Sequence, residues 1–257
     1  MSFYVNLPSN SSGNYSSQNR IGNYRITLPF PLQFPPQEYE VCLSGITYIN
    51  SIKVLTGKHE DNIIKILTND IEDTITIPIK HYETIEQLIE IINETLHTIP
   101  YLKLKLTLEK EINRVKLVFD HQTEIIVSEK LSDILGFDGK TKFTQDFSKA
   151  SDIIKTHDIA KFPPDMSGRK YHLFVYTDII EPQIVGNTMV PMLRMINLKG
   201  KSGDAVTETF ENPYYLRLNR CCIENISIVI CDEFGEEVPF ERGQVTVTLN
   251  FRKKQKN

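Results

Sequence analysis

Apolar residues alternate with polar ones at period two in segment after segment of this chain, and one stretch switches clearly to a helical period. Tyr24, Ile26 and Leu28 share a face against Arg25 and Thr27, which predicts a half-buried strand. Residues 38–48 (EYEVCLSGITY) set Tyr39, Val41 and Leu43 on one side, and Gly45 marks a bulge or a change of face. Between these strands lies PFPLQFPP, with Pro29, Pro31, Pro35 and Pro36. Proline offers no N–H to a ladder, so the run predicts a stiff extended connector.

The densest β-favouring run falls in residues 171–187 (YHLFVYTDIIEPQIVGN). It predicts a central strand that leaves its sheet through Glu181, Pro182, Gly186 and Asn187, with Asp178 and Glu181 as turn and loop-face residues. Residues 188–198 are apolar, and Met189, Met192 and Met195 read as adaptable core packing, with a contact surface as the alternative. Further strands are predicted at 210–218, where Tyr214 and Tyr215 follow Pro213, and at 223–231, where Ile226, Ile228 and Ile230 align. The last, 245–251, alternates Val245, Val247, Leu249 and Phe251 with Thr246, Thr248 and Asn250.

Residues 60–138 have another texture. Two Ile-rich runs precede a helix that Thr84 opens with Gln87 three positions on, a capping box. Ile85, Leu88, Ile89, Ile92 and Leu96 fall on one helical face, and Pro100 closes it. A hairpin follows, Leu102, Leu104, Leu106 and Leu108 answered by Val115, Leu117 and Phe119, then a short strand at 124–127. Ser128 caps a second, shorter helix that Gly136 ends. Residues 138–170 carry turn residues and Pro163-Pro164, and predict a long surface connection.

Without the insertion, two strands precede the gap and about five follow it, close to the eight of a jelly roll. The expected fold is mainly β: a single jelly-roll sandwich over 24–59 and 139–257, an α+β insertion over 60–138, and a flexible N-terminal arm over 1–23. That arm is rich in Ser and Asn, yet Phe3, Tyr4, Val5 and Leu7 stand at its head. It predicts either an apolar anchor that docks on a neighbour or a frayed end whose aromatics cover the domain's own edge.

Charge narrows the functional classes. The net charge of −4 comes with no one-sided basic field, which argues against a dominant grip on nucleic acid. The basic tail, Arg252, Lys253, Lys254 and Lys256, is a solubilising end or a non-specific contact for packaged DNA. The N-terminus has no secretory pattern and no run is long enough to span a bilayer, so synthesis in a cytosol without membrane insertion is expected. Cys42, Cys221, Cys222 and Cys231 lack zinc-site spacing and read as buried or half-buried free thiols.

Reactive constellations are scarce. The six histidines are dispersed without an HxH or HExxH pair. Ser167–Arg169 is no nucleophile elbow, and no glycine-rich phosphate loop occurs. The acidic group Asp232, Glu233, Glu236 and Glu237 could in principle hold calcium, but a solvated turn is the plainer reading. No enzyme, cofactor or metal is expected.

Several segments taken together carry a family likeness. FYVNLPSNSSGNY, YRITLPFPL and YEVCLSGITY, then YETIEQLIEIIN with LSDILGF, then HLFVYTDIIEPQIVGNT, NPYYLRL and VPFERGQVTVTLNFRKK resemble the penton, or minor capsid, proteins of Polinton (Maverick) elements, adintoviruses and related virophages. The resemblance implies a virion protein without catalytic residues. It implies a homopentamer at the five-fold vertices of an icosahedral capsid, beside trimers of a double-jelly-roll major capsid protein. The insertion would stand outward and the termini would lie inward or toward neighbours. Phe3, Tyr4, Leu7, Arg252, Lys253 and Lys254 are the candidate assembly contacts. A carbohydrate- or receptor-binding sandwich module is the alternative, weakened by the absence of tryptophan.

Overall fold

The computed structural model describes residues 2–11, 19–68, 71–99, 104–119, 123–144, 156–168 and 170–254. The chain divides into two compact units, Met1–Ile52 with Lys170–Asn257, and Lys53–Arg169.

The first unit is a sandwich of two antiparallel sheets. Its strands, numbered in chain order through the whole protein, are β1 (Ser2–Pro8), β2 (Asn23–Gln33), β3 (Tyr39–Ile49), β11 (His172–Thr177), β12 (Gln183–Val185), β13 (Thr188–Val190), β14 (Met192–Asn197), β15 (Ala205–Thr209), β16 (Leu216–Arg217), β17 (Cys222–Cys231) and β18 (Thr246–Lys253). One sheet runs β1, β18, β3, β15, with β16 beside β15 on the same edge of β3; the other runs β14, β11, β17, β2. With β15 and β16 taken as one broken strand and the β12–β13 hairpin set aside, this is the eight-strand jelly-roll order. Inward residues of both sheets, among them Leu43, Tyr48, Val247 and Phe251 against Val175, Ile226, Ile228 and Ile230, make one apolar core. Gly45 sits at a register shift between β3 and β18, as a bulge there requires.

Three strands, not two, precede the gap. The expected arm is, at residues 2–8, the first strand of the jelly roll, paired from Ser2↔Arg252 to Pro8↔Thr246. Phe3, Val5 and Leu7 alternate with Tyr4 and Asn6, so pairing with β18 turns the apolar set inward. Residues 12–18 of that arm lie outside the described residues. The proline run is likewise no connector up to Gln33, because β2 continues through Pro29 and Pro31. That is tolerable since β2 is an edge and residues 28–31 bulge out opposite Glu224.

The sandwich has two distinct ends. At one lie Ile49, Ile52, Lys170 and the 232–237 turn, where the chain leaves this unit and returns. At the other, Ser2 pairs with Arg252, Tyr39 with Lys253, and Gln33 with Cys222.

The second unit contains two sheets and two helices. One sheet runs β5 (Ile71–Thr76), β4 (Ile63–Thr68), β8 (Thr123–Val127), β9 (Lys142–Phe143); the other runs β10 (Thr156–Ile159), β7 (Arg114–Phe119), β6 (Lys105–Glu109). Helix α1 (Ile85–Leu96) starts where the Thr84 side chain accepts from Gln87 N and the Gln87 side chain accepts from Glu83 N at 3.0 Å. Its buried face, Leu88, Ile92 and Leu96, joins Leu106, Val115 and Leu117 in one core. Asn93 pins helix to hairpin by bonding both N and O of Leu106 at 2.9 Å. The expected stop at Pro100 and the start of the hairpin at Leu102 lie outside the described residues.

Helix α2 (Glu129–Leu135) begins at Ser128, whose hydroxyl accepts from Leu131 N at 3.1 Å, and ends at Gly136 with φ 87°. A Cβ on Gly136 would stand 2.3 Å from the Phe162 carbonyl oxygen, so glycine is required twice over. The 139–169 stretch, expected to belong to the jelly roll as a surface connection, belongs instead to this unit. β10 pairs with β7, Phe162 N donates to Gly136 O, and Asp165 N donates to Ile134 O. Backbone hydrogen bonding, invisible in composition, moves the boundary. Residues 53–59 cross for the same reason, since the Asp61 carboxylate takes the backbone N–H groups of Thr56 and Gly57.

Candidate functional site

Pairing of β1 with β18 brings the six expected assembly residues onto neighbouring strands and then separates them by burial. Phe3 is half-buried, its ring stacked on Phe251 at 5.2 Å, and Phe34 stacks on Phe251 at 5.6 Å. Leu7 is 1% exposed and its carbonyl accepts the Tyr24 hydroxyl at 2.9 Å. Both therefore serve the sandwich's own core. Tyr4, on the opposite face of the strand, is 64% exposed.

The basic members are mostly compensated. Arg252 Nε lies 2.6 Å from Glu40 Oε1, and its guanidinium carbon sits 3.4 Å over the Tyr215 ring. Lys253 Nζ is 3.0 Å from Glu38, whose hydrogen bond and charge hold the ammonium above its ordinary value. Lys254 is exposed, and its backbone N donates to Glu38 O at 2.7 Å. Lys256 lies outside the described residues. Sequence reasoning missed the glutamate and tyrosine partners. The only trace was the Tyr214-Tyr215 pair, which folds back on β18: Tyr215 Oη donates to Asn250 Oδ1 at 2.7 Å.

Nearby, Arg194 stacks between two rings, 4.0 Å from the Phe210 centroid and 4.6 Å from that of Tyr214. Tyr214 is left 63% exposed. Surfaces rich in tyrosine and stacked arginine favour protein contacts. Apolar exposure occurs elsewhere too: Phe30 on the β2 bulge, and Ile184 and Met189 on the β12–β13 hairpin. Met189 and Met195 thus stand on the surface, against the core reading; Met192 is half-buried.

The acidic turn is absorbed by structure. Asp232 Oδ1 accepts from Phe234 N and Glu236 N at 3.0 Å each, with Lys170 Nζ 3.8 Å from its other oxygen. Glu233 accepts from Tyr171 N and His172 N at 2.6 Å and meets the His172 ring at 3.0 Å. Burial pushes the Glu233 carboxyl up, yet these hydrogen bonds outweigh it and hold it below its usual range. Glu237 meets Arg20 at 3.2 Å. Among the described residues no group of His, Cys, Asp and Glu could hold a metal ion.

Asp178 is structural, as its turn setting predicts: Oδ1 accepts from Ser227 N at 2.8 Å and Oδ2 pairs with Arg220 at 2.9 Å. The four cysteines are free, but Cys221 and Cys222 are exposed rather than half-buried. They sit where β17 begins, at the end of the sheet. No helix among the described residues is long and apolar enough to cross a membrane.

No protein-family model and no curated protein matches this sequence. Among solved structures, the chain superposes on the crystal structure of the mavirus penton protein with a TM-score of 0.53 and 10% identity, over 99% of this chain and all of that one. It also superposes on a chain of the Sputnik virophage cryo-EM structure with a TM-score of 0.48 and 12% identity, over 98% of each. The penton likeness expected from the sequence motifs is met in the fold.

Proposed function

We propose, from the fold it shares with the mavirus penton protein, that this chain is a structural protein of an icosahedral capsid and forms homopentamers at the five-fold vertices. The observation that carries this reading is the full-length match, which spans both the jelly roll and the α+β unit. Trimers of a double-jelly-roll major capsid protein are the proposed neighbours, as the resemblance carried by the sequence motifs implies. The end carrying Ile52 and Lys170 faces outward, and the end carrying Ser2 and Lys253 faces the capsid interior.

Asp178 and Asp232 accept backbone N–H groups, so both carboxylates serve their turns. Tyr4, Lys253 and Lys254 are the members of the expected contact set with exposed side chains; Lys253 faces Glu38, and we assign Tyr4 and Lys254 to assembly. Contact of the tail with packaged DNA rests on Lys254 and the residues beyond it, since Arg252 and Lys253 face glutamates.

A second reading, a glycan- or receptor-binding module, draws on exposed Tyr4 and Tyr214. Light scattering on purified protein separates the two. A species of five chain masses is expected. A strict monomer across concentration and salt that also binds glycans would favour the module.

A further inference from the structure

We propose that the Phe30 bulge of one copy docks against the β12–β13 hairpin of a second copy of this chain, and that this contact anchors the ring. The inference rests on the pentameric reading and names its surfaces. A closed cyclic assembly joins two different patches of the same chain, and both must lie at one height along the axis.

The two patches meet that condition. Phe30 lies on β2, one edge of the sheet ordered β14, β11, β17, β2, and the β12–β13 hairpin, a two-stranded sheet of its own, leads directly into β14 at the other edge. Phe30 lies in β2 between Thr27, paired with Asn225, and Leu32, paired with Ile223. Its height is therefore that of Glu224, near the start of β17. On the far edge, Tyr176 pairs with both Val229 and Met192, and the hairpin joins β14 through Pro191 at that Met192 end, the end where β17 begins. Gln183 holds it there by donating to Met192 O at 2.8 Å. Ile184 and Met189 face each other across the hairpin and are 79% and 63% exposed, while Phe30 is 65% exposed.

Their chemistry is complementary. An aromatic ring packs well on a thioether and a branched aliphatic side chain. Neither patch carries charge: residues 26–37 and 182–193 contain no Asp, Glu, Lys or Arg in a chain that is 24% charged. Charge depletion marks the buried centre of protein interfaces. Pro29 and Pro31 leave the β2 edge without N–H groups at those positions, so strand addition is blocked and contact passes through side chains. A second copy is the occupant that supplies both surfaces in equal number and at matched height.

One-sided variants test this. Phe30→Asp alone and Met189→Asp alone should each run as a monomer by light scattering, with melting curves close to wild type. Mixed in equal amounts, they retain one good flank each and should give a dimer as the largest species. If both variants stay pentameric, the docking inference falls while the vertex reading stands; if the wild type is itself monomeric, both fall. Where a charge impairs folding, Phe30→Cys with Met189→Cys in a Cys221→Ser, Cys222→Ser background replaces it. Oxidised glutathione should then give a reducible ladder ending at the closed ring. An oligomer without a ladder overturns the contact.

Discussion

Tyr24 donates its buried hydroxyl to the Leu7 carbonyl at 2.9 Å, joining an edge strand of one sheet to the edge strand of the other. Burial pushes the Tyr24 phenol well above its ordinary value. A folded-state pKa raised above the unfolded one means that the unfolded chain gives up its proton first. The contribution is complete below about pH 10 and is lost as pH rises beyond it. Tyr24→Phe should cost about 1–2 kcal/mol at neutral pH and flatten the alkaline fall in stability. Urea melts at pH 7 and pH 10.5 check both; an alkaline limb identical to wild type would remove Tyr24 as its source.

Leu7 and Tyr4 lie on the same strand, and substitutions there should behave oppositely. Leu7→Ala should destabilise the isolated protein by about 2–4 kcal/mol, because the side chain is 1% exposed in the core. Tyr4→Ala should stay within about 0.5 kcal/mol, with its effect confined to assembly. Deleting residues 1–8 would open the β18 edge and lower solubility. A docking arm predicts the contrary, a deletion that spares the melt and impairs only assembly.

The contrast at β1 shows what was legible. β18 could be read to within two residues because Val247, Leu249 and Phe251 alternate with Thr246, Thr248 and Asn250 without a break. β1 alternates just as well, but a Ser- and Asn-rich stretch follows it, and composition outweighed periodicity. The Ser128 and Thr84 caps were readable because their partners lie three residues away. Glu40 beneath Arg252 and Tyr215 above it are far apart in sequence, and the pairing of β3 with both β18 and β16 brings them together. β10 was hidden because residues 156–159 (THDI) hold a single large apolar residue and no alternation.

Asp61 anchors the second unit's first loop. Its carboxylate takes Thr56 N, Thr56 Oγ1 and Gly57 N, and Lys130 Nζ lies 2.8 Å away. Burial pushes the carboxyl up, but Lys130 and the Thr56 hydrogen bonds prevail and hold it below the usual carboxylate range. A depressed folded-state value gives stability that is present above about pH 4 and lost as pH falls. Asp61→Asn should cost about 2–3 kcal/mol at pH 7, and the difference from wild type should shrink toward pH 3. A pH-independent difference would assign the loss to geometry rather than charge.

The thiols should divide into two classes. Cys221 and Cys222 are exposed, whereas Cys42 and Cys231 are buried, and burial pushes both buried thiols above their ordinary value. A thiol reagent should label one pair rapidly in native protein and the other only on unfolding. Replacing Cys221 and Cys222 by serine should abolish the fast phase and leave the melt nearly unchanged.

Glutamate pairing sets how the C-terminal strand meets a polyanion. Glu40 lies 2.6 Å from Arg252 and Glu38 lies 3.0 Å from Lys253, so two of the tail's cations enter any encounter already neutralised. The Lys253–Glu38 pair is exposed and adds little stability, so Glu38→Gln should leave the melt nearly unchanged, whereas Glu40, largely covered beneath Arg252, should cost more when it too is changed to Gln. The double variant should also change DNA binding. Each cation released from its glutamate can neutralise a phosphate and displace a counterion, so the slope of log affinity against log salt should steepen by roughly 0.9 per phosphate, about two in all. Filter binding from low to moderate salt measures that slope. An unchanged slope in the double variant would place Arg252 and Lys253 away from the nucleic acid, and leave any DNA contact to Lys254 and the residues beyond it.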